Sequence, residues 1–63
     1  MKLPTSDEYE PWERGLRHVP TGIRVWLAFQ NVEGGWTLDF YQGDSCDYDE
    51  AAVVQYAGRL LLE

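Results

Sequence analysis

Two segments that alternate apolar and polar residues predict a β-hairpin. Apolar side chains take the odd positions of residues 23–30 and the even positions of residues 36–41, as expected for two half-buried strands. Bringing both apolar faces to the same side of the sheet, around a tight turn at Glu33-Gly34, gives three pairs: Phe29 with Leu38, Leu27 with Phe40, and Trp26 with Tyr41. A loop one residue longer or shorter would need a β-bulge to keep both apolar faces together.

Residues 48–62 predict an amphipathic α-helix. Its apolar stripe should pack on the hairpin face that carries Leu27, Phe29, Leu38 and Phe40. Ser45 or Asp47 is the expected N-cap, with Asp49 and Glu50 in the first turn. Gly58 costs about 1 kcal/mol relative to Ala, so the helix is expected to loosen there. The stripe consists of Val53, Tyr56, Ala57, Leu60 and Leu61.

The N-terminal third is less regular. Residues 1–5 are expected to form a loose lead-in, and residues 6–16 form either a short helix or a single turn, because Pro11 interrupts the helical pattern. A third short strand is expected around residues 16–19. Residues 1–63 therefore predict one small α+β domain: an antiparallel hairpin packed by a C-terminal helix, with a short N-terminal helix or turn.

Size and composition limit the class of protein. A chain of 63 residues with nine aromatic side chains suits one domain with a thin, aromatic-rich core. It contains neither a long apolar run nor the apolar region of a signal peptide. Cys46 is the only cysteine, which favours a reducing, cytoplasmic setting.

The negative charge is concentrated in one part of the chain. Residues 25–58 contain no Lys or Arg and carry the whole formal charge of −6. Helix capping and ordinary turn chemistry explain the positions of these acids but not the absence of basic residues. The alternative is that the acids imitate a phosphate backbone and contact a basic groove of a partner. The candidate contact residues are Asp39, Asp44, Asp47, Asp49 and Glu50.

A second candidate surface is aromatic. The predicted hairpin places Trp26 and Tyr41 together on the face opposite the core. Tyr9 and Trp12 could fold over this pair and bury it; otherwise it forms an exposed patch of the residue types that are enriched at interface centres.

The inventory for catalysis is poor. His18 and Cys46 are the only obvious pair for nucleophilic chemistry, and His18 is expected on the surface of a turn. So short a chain is not expected to enclose a substrate pocket. The spacing of Asp44, Asp47 and Asp49 does not match a calcium-binding loop, and one Cys with one His cannot build a zinc site. We therefore expect no enzyme activity, no catalytic residues, no metal site and no cofactor.

The segment WLAFQNVEGGW at residues 26–36 resembles the central motif of MbtH-like proteins. Those small acidic proteins are partners of adenylation domains in nonribosomal peptide synthesis, so the resemblance implies an adaptor that uses Trp26 and Trp36 as a hydrophobic clamp. The family's Pro after the first Trp is Leu27 here, and its motifs before the first Trp and at the C-terminus are absent. The resemblance is therefore confined to this segment, and the chain is not assigned to the family.

The leading expectation is a cytoplasmic acidic protein that inhibits a nucleic-acid-handling protein by occupying its basic groove. Small acidic phage proteins, including anti-CRISPR proteins, have this composition. The alternatives are the MbtH-like adaptor and a small antitoxin or assembly subunit. The partner is expected to be a protein with a basic surface; direct nucleic-acid binding and membrane binding are not expected, and the chain should be a monomer or weak dimer.

Overall fold

The computed structural model describes residues 2–44 and 47–63. The predicted α+β class is confirmed: a four-stranded antiparallel sheet packs against a C-terminal helix. The elements are a 3₁₀ turn Ser6–Glu8, then β1 Tyr9–Trp12, β2 Gly15–His18, β3 Arg24–Gln30, β4 Trp36–Tyr41 and α1 Glu50–Leu62.

The sheet is a meander in the order β1-β2-β3-β4. Strand β2 confirms the third short strand that was expected around residues 16–19. Of the two alternatives for residues 6–16, the single turn is confirmed at Ser6–Glu8 and the short helix was wrong. Pro11 lies instead in β1, opposite Leu16. Because β1 is an edge strand, the missing N–H of Pro11 is tolerated there. The residues after Glu8 therefore extend the sheet by one strand that the sequence pattern did not reveal.

The register of the central hairpin differs from the prediction. The structure pairs Val25 with Phe40 and Leu27 with Leu38, and then shifts between Leu27 and Phe29. The turn is longer than predicted, since the Asn31 side-chain oxygen accepts hydrogen bonds from the N–H groups of Glu33 (3.1 Å) and Gly35 (3.0 Å). The pairs before the bulge keep Val25 and Leu27 on the same face as Phe40 and Leu38, and the bulge after Leu27 allows the longer turn.

The core lies between α1 and the middle of the sheet. Ile23, Val25, Val53 and Ala57 are fully buried. Phe29, which was predicted to face the helix, is 57% exposed because the bulge pairs it with Thr37. The predicted helix-packing face is thus wrong at Phe29 and confirmed at Leu38 and Phe40, which pack against the core.

The helix stripe at Val53 and Ala57 is confirmed, although α1 begins at Glu50 and its N-cap is Asp49. The Asp49 carboxylate accepts a hydrogen bond from the Ala51 N–H (3.1 Å). Of the two predicted caps, Asp47 lies before the helix and Ser45 is outside the described residues. The helix does not loosen at Gly58, which is buried beneath the Leu38 side chain. A Cβ at this position would lie 2.5 Å from Leu38 Cδ1, so the absence of a side chain at Gly58 allows Leu38 of the sheet to pack directly against the helix.

Candidate partner-binding surfaces

The sheet face opposite α1 carries three aromatic rings in contact. Trp26 lies 4.8 Å from Tyr41 and 5.7 Å from Trp12, measured between ring centroids. Strand alternation explains the grouping, because these residues share the face that points away from Val25 and Phe40. Trp26 and Tyr41 therefore lie together as predicted, although Trp26 is paired directly with Asp39. We call Trp12, Trp26 and Tyr41 the aromatic face.

One basic residue, Arg24, packs against this face. The Arg24 guanidinium lies over the rings of Trp12 (5.4 Å) and Tyr41 (5.0 Å). Such cation–π contacts fix the Arg head group between the rings. Tyr41 remains 49% exposed, while Trp12 and Trp26 are half-buried by one another. Trp12 therefore partly covers Trp26 and Tyr41, as one of the two alternatives from the sequence had it.

Tyr9 does not join this surface. It points to the helix side, where its hydroxyl donates to the Val53 carbonyl (2.7 Å) and its ring stacks on Tyr56 (5.8 Å). Burial, together with the nearby Glu8 charge, raises the pKa of the Tyr9 hydroxyl. Tyr9 is thus a core residue, and only Trp12 of the two predicted covering residues reaches Trp26 and Tyr41.

Trp36 lies on the opposite side of the sheet from Trp26. Along β4, Trp36 lies on the helix side together with Leu38 and Phe40, while Tyr41 contacts Trp26 on the other side. Trp26 and Trp36 therefore cannot grip one group between them. Trp12, which the sequence suggested only as a cover for Trp26 and Tyr41, is the tryptophan that lies beside Trp26.

The predicted acidic residues divide between two surfaces. Asp39 lies on the sheet face of Trp26 and accepts a hydrogen bond from the Phe40 N–H (2.8 Å). The other four lie in the connection before α1 or at its first residue, and we call them the acidic end: Asp44, Asp47, Asp49 and Glu50. Asp44 and Asp47 are exposed, and Asp49 and Glu50 are half-buried. The fold therefore keeps the helix-start acids together and separates Asp39 from them.

One basic residue approaches the acidic end from the N-terminus. The Lys2 N–H donates to the Asp47 carbonyl (2.7 Å), and the Lys2 ammonium lies over the Tyr48 ring (5.9 Å). In the described chain the ion pairs are Arg17 with Glu10 and His18 with Glu8, and neither involves Asp39, Asp47, Asp49 or Glu50. Lys2 thus brings a positive charge that is distant in sequence to the side of the acidic end.

His18 is buried, not solvated as predicted. Its side chain is fully inaccessible, and its ring nitrogens contact the Thr21 hydroxyl (2.7 Å) and the Glu8 carboxylate (3.1 Å). The other Glu8 oxygen accepts a hydrogen bond from the Tyr48 hydroxyl (2.8 Å). The sequence did not reveal this network because its members lie in elements that are distant along the chain: the 3₁₀ turn, β2 and the turn after it, and the connection before α1. We call Glu8, His18, Thr21 and Tyr48 the histidine network.

The network holds a charge in an ordered position. Hydrogen bonds from Tyr48 and His18, with one from the Thr5 N–H, lower the pKa of the Glu8 carboxyl to about 2. The same contact raises the pKa of the Tyr48 hydroxyl, since ionisation would place two negative oxygens together. The network therefore ties the 3₁₀ turn to the sheet and to the residues before α1.

In residue type, a hydroxyl, an imidazole and a carboxylate in a row match a nucleophilic triad. Here His18 is fully buried and Thr21 is only 5% exposed, and the Thr21 oxygen also accepts a hydrogen bond from the Ile23 N–H (3.3 Å). A substrate carbonyl has no access to that oxygen. Cys46, the other candidate nucleophile, lies outside the described residues. Across residues 2–44 and 47–63, no three His, Cys, Asp or Glu side chains are placed to hold a metal ion.

An open cavity of about 280 Å³ lies between β4 and the start of α1. Its lining is mainly apolar, with one carboxylate: Phe40, Glu50, Ala51, Val54 and Gln55. The volume falls just below the range of about 300–1,000 Å³ that is usual for small-molecule sites. It suits one protruding side chain better than a whole substrate.

Comparison of the chain with protein-family models, curated proteins and solved structures gives no match. The resemblance of residues 26–36 to MbtH-like proteins is thus not accompanied by a match to any family model. In the described ranges, none of the helices has the length and apolar character needed to span a membrane.

Proposed function

We propose that this chain is a non-enzymatic, cytoplasmic inhibitor that binds a nucleic-acid-handling protein and occupies its basic groove. The observation that carries the proposal is the absence of Lys and Arg from residues 25–58, which hold a formal charge of −6. Nucleic-acid-binding grooves are lined with Lys and Arg, so a surface of this sign competes with phosphates. A phage origin, as for anti-CRISPR proteins, fits such a role.

The acidic end is the main contact surface in this proposal. Asp44 and Asp47 are exposed, and the Asp49 carboxylate is held in place as the N-cap of α1. Ordering charges before binding reduces the entropic cost of association. Asp39 contributes from the sheet face, next to the aromatic face, whose Trp26 and Tyr41 add apolar contact. The partner therefore has to bind around the β4 edge to touch both surfaces.

Capture of binding partners from a bacterial lysate tests the proposal. The chain is immobilised and exposed to a bacterial lysate, and captured proteins are identified by mass spectrometry. We expect nucleic-acid-binding proteins that elute at moderate salt, because screening acts over roughly 8 Å at physiological ionic strength. DNA or RNA should compete for the captured partner.

The variant Asp39→Lys/Asp44→Lys should lose the partner. The matched control is Glu13→Lys/Glu63→Lys, which changes net charge equally at two exposed positions that belong neither to the acidic end nor to the aromatic face. Glu8 is unsuitable as a control because it belongs to the histidine network. Equal capture and inhibition by the folded Asp39/Asp44 variant and the parent would exclude phosphate mimicry.

A second candidate is an adaptor that binds its partner through the aromatic face. It is supported by the exposure of Tyr41 beside Trp12 and Trp26. Aromatic residues at the centre of an interface contribute strongly to binding. Under this alternative Tyr41→Ala should abolish capture, salt should have little effect, and an adenylation domain should be among the captured proteins.

A further inference from the structure

The β4 strand forms an edge of the sheet. Within the described chain it pairs with β3 on one side only. An edge strand presents backbone N–H and C=O groups to which another extended chain can bind. Trp36–Tyr41 contains neither Pro nor Lys, the residues that commonly prevent such pairing. This strand therefore has the backbone chemistry to accept a neighbour, which would take over the Phe40 N–H that now donates to the Asp39 carboxylate.

The helix leaves the inner side of β4 partly open. α1 packs mainly on β2 and β3, so Leu38 and Phe40 are only half-buried and Trp36 is 41% exposed. These three residues share one face of the strand, and the cavity of about 280 Å³ begins at Phe40. Side chains of an added strand that point to the same face would lie over this apolar row.

The cavity also carries a charge preference. Glu50 is its one ionisable lining residue, and the acidic end continues next to it through Asp49 and Asp47. A basic side chain can place its aliphatic stem on apolar surface and its charged head group at a carboxylate. The chemistry of the groove therefore favours an apolar residue together with Lys or Arg over an acidic segment.

We propose that an extended segment of the partner protein adds to the edge of β4 and inserts one apolar side chain between Phe40 and Val54. A Lys or Arg two positions away on the same segment contacts Glu50. Main-chain hydrogen bonds hold such a segment, and the pocket for an alternate side chain selects its sequence. The inference rests on the proposed function only in taking the partner to be basic.

The probe is the blocked hexapeptide acetyl-Thr-Val-Thr-Arg-Thr-Val-amide, titrated into the ¹⁵N-labelled protein and followed by NMR. Saturable shifts should concentrate at residues 36–41 and at the helix residues that line the cavity, and not at Trp12. Two N-methylated peptides, one methylated at the Thr residues and one at the others, test the backbone. One set of N–H groups faces β4, so one of these peptides should bind about tenfold or more weakly and the other should retain binding.

Ala51→Leu tests the cavity, because Ala51 is exposed and its enlargement fills the space without disturbing the core. It should weaken the peptide about tenfold or more, since burial of one apolar side chain contributes that order of affinity. Arg59→Leu is the matched control: it adds the same side chain at an exposed helix position outside the cavity, and it should bind at least as well as the parent.

Three results would overturn the inference: no saturable shift at β4, equal binding of both N-methylated peptides and the parent peptide, or unchanged binding to Ala51→Leu. Loss of binding in Glu50→Gln and in high salt, with Ala51→Leu unaffected, would leave the acidic proposed function standing and remove the groove. Weakening by Ala51→Leu, combined with a captured partner that is indifferent to salt and to Asp39/Asp44 reversal, would support the groove and remove the phosphate mimicry.

Discussion

Gly15→Ala should strongly destabilise the protein, because Gly15 lies where β2 meets β3. A Cβ at this position would lie 2.1 Å from the Val25 carbonyl oxygen and 2.9 Å from Trp26 Cα. Both are backbone atoms, and the pairs Gly15–Trp26 and Leu16–Val25 hold them in the sheet. No side-chain rotation can relieve the overlap, so the two strands would have to separate.

The cost can be estimated from overpacked cores, where extra methyl groups destabilise by about 1–3 kcal/mol. A clash with backbone belongs at the upper end, about 3 kcal/mol. Stability of about 0.05–0.15 kcal/mol per residue gives a chain of this length roughly 3–9 kcal/mol in total. A loss of that size should lower the melting temperature by about 12–24 °C, at 4–8 °C per kcal/mol for so small a domain.

Thermal and urea unfolding followed by circular dichroism measure this loss. Gly35→Ala is the matched control, because its Cβ would meet the Asn31 side chain first, at 3.3 Å, and not backbone, so it should destabilise much less than Gly15→Ala. If Gly15→Ala melts within a few degrees of the parent while Gly35→Ala does too, the described pairing of β2 with β3 is refuted. In Gly15→Ala, a weakened near-ultraviolet circular dichroism signal is also expected, because Trp12 and Trp26 would move apart.

The remaining predictions concern the histidine network and the core. The lowered pKa of Glu8 means that its stabilising effect is complete above the ordinary value of 4.5 and is lost as the pH falls toward about 2. The urea midpoint of the parent should therefore fall more steeply over that interval than that of Glu8→Gln, and parallel profiles would contradict the network. Val53→Ala should cost about 2 kcal/mol, from two methyl groups at about 0.8 kcal/mol each plus a cavity term. Phe29→Ser, at a site 57% exposed, should cost no more than about 0.5 kcal/mol in the same urea experiment, and the opposite order would place Phe29 in the core.

The central hairpin shows how far local pattern reaches. Alternation identified both strands and their inner faces except at Phe29, because the side-chain period of a strand is a local property that the bulge interrupts. It did not identify the pairs: Leu27 lies opposite Leu38, not Phe40. The reason is the Asn31 side chain, which organises a longer turn, and a bulge that the apolar pattern cannot reveal.

The N-terminal third shows where local pattern fails. Thr5 to Glu8 did form the expected turn, with the Thr5 N–H donating to the Glu8 carboxylate (3.0 Å). The following residues formed an edge strand because pairing with β2 outweighed a helical propensity that Pro11 had already weakened. Trp12 reached the aromatic face only through that pairing, so no spacing along the chain could have placed it beside Trp26.

By itself the sequence determined the fold class, the helix stripe at Val53 and Ala57, the common face of Trp26 and Tyr41, and the excess of acid near the helix start. These features depend on the spacing and charge of neighbouring residues. Tertiary structure alone decided that His18 is buried against Glu8, that Asp39 lies apart from the acidic end, and that β4 is an open edge beside a cavity. Each depends on contacts between residues that are distant in the chain, whose distances are set by strand order and helix placement and leave no periodic trace in the sequence.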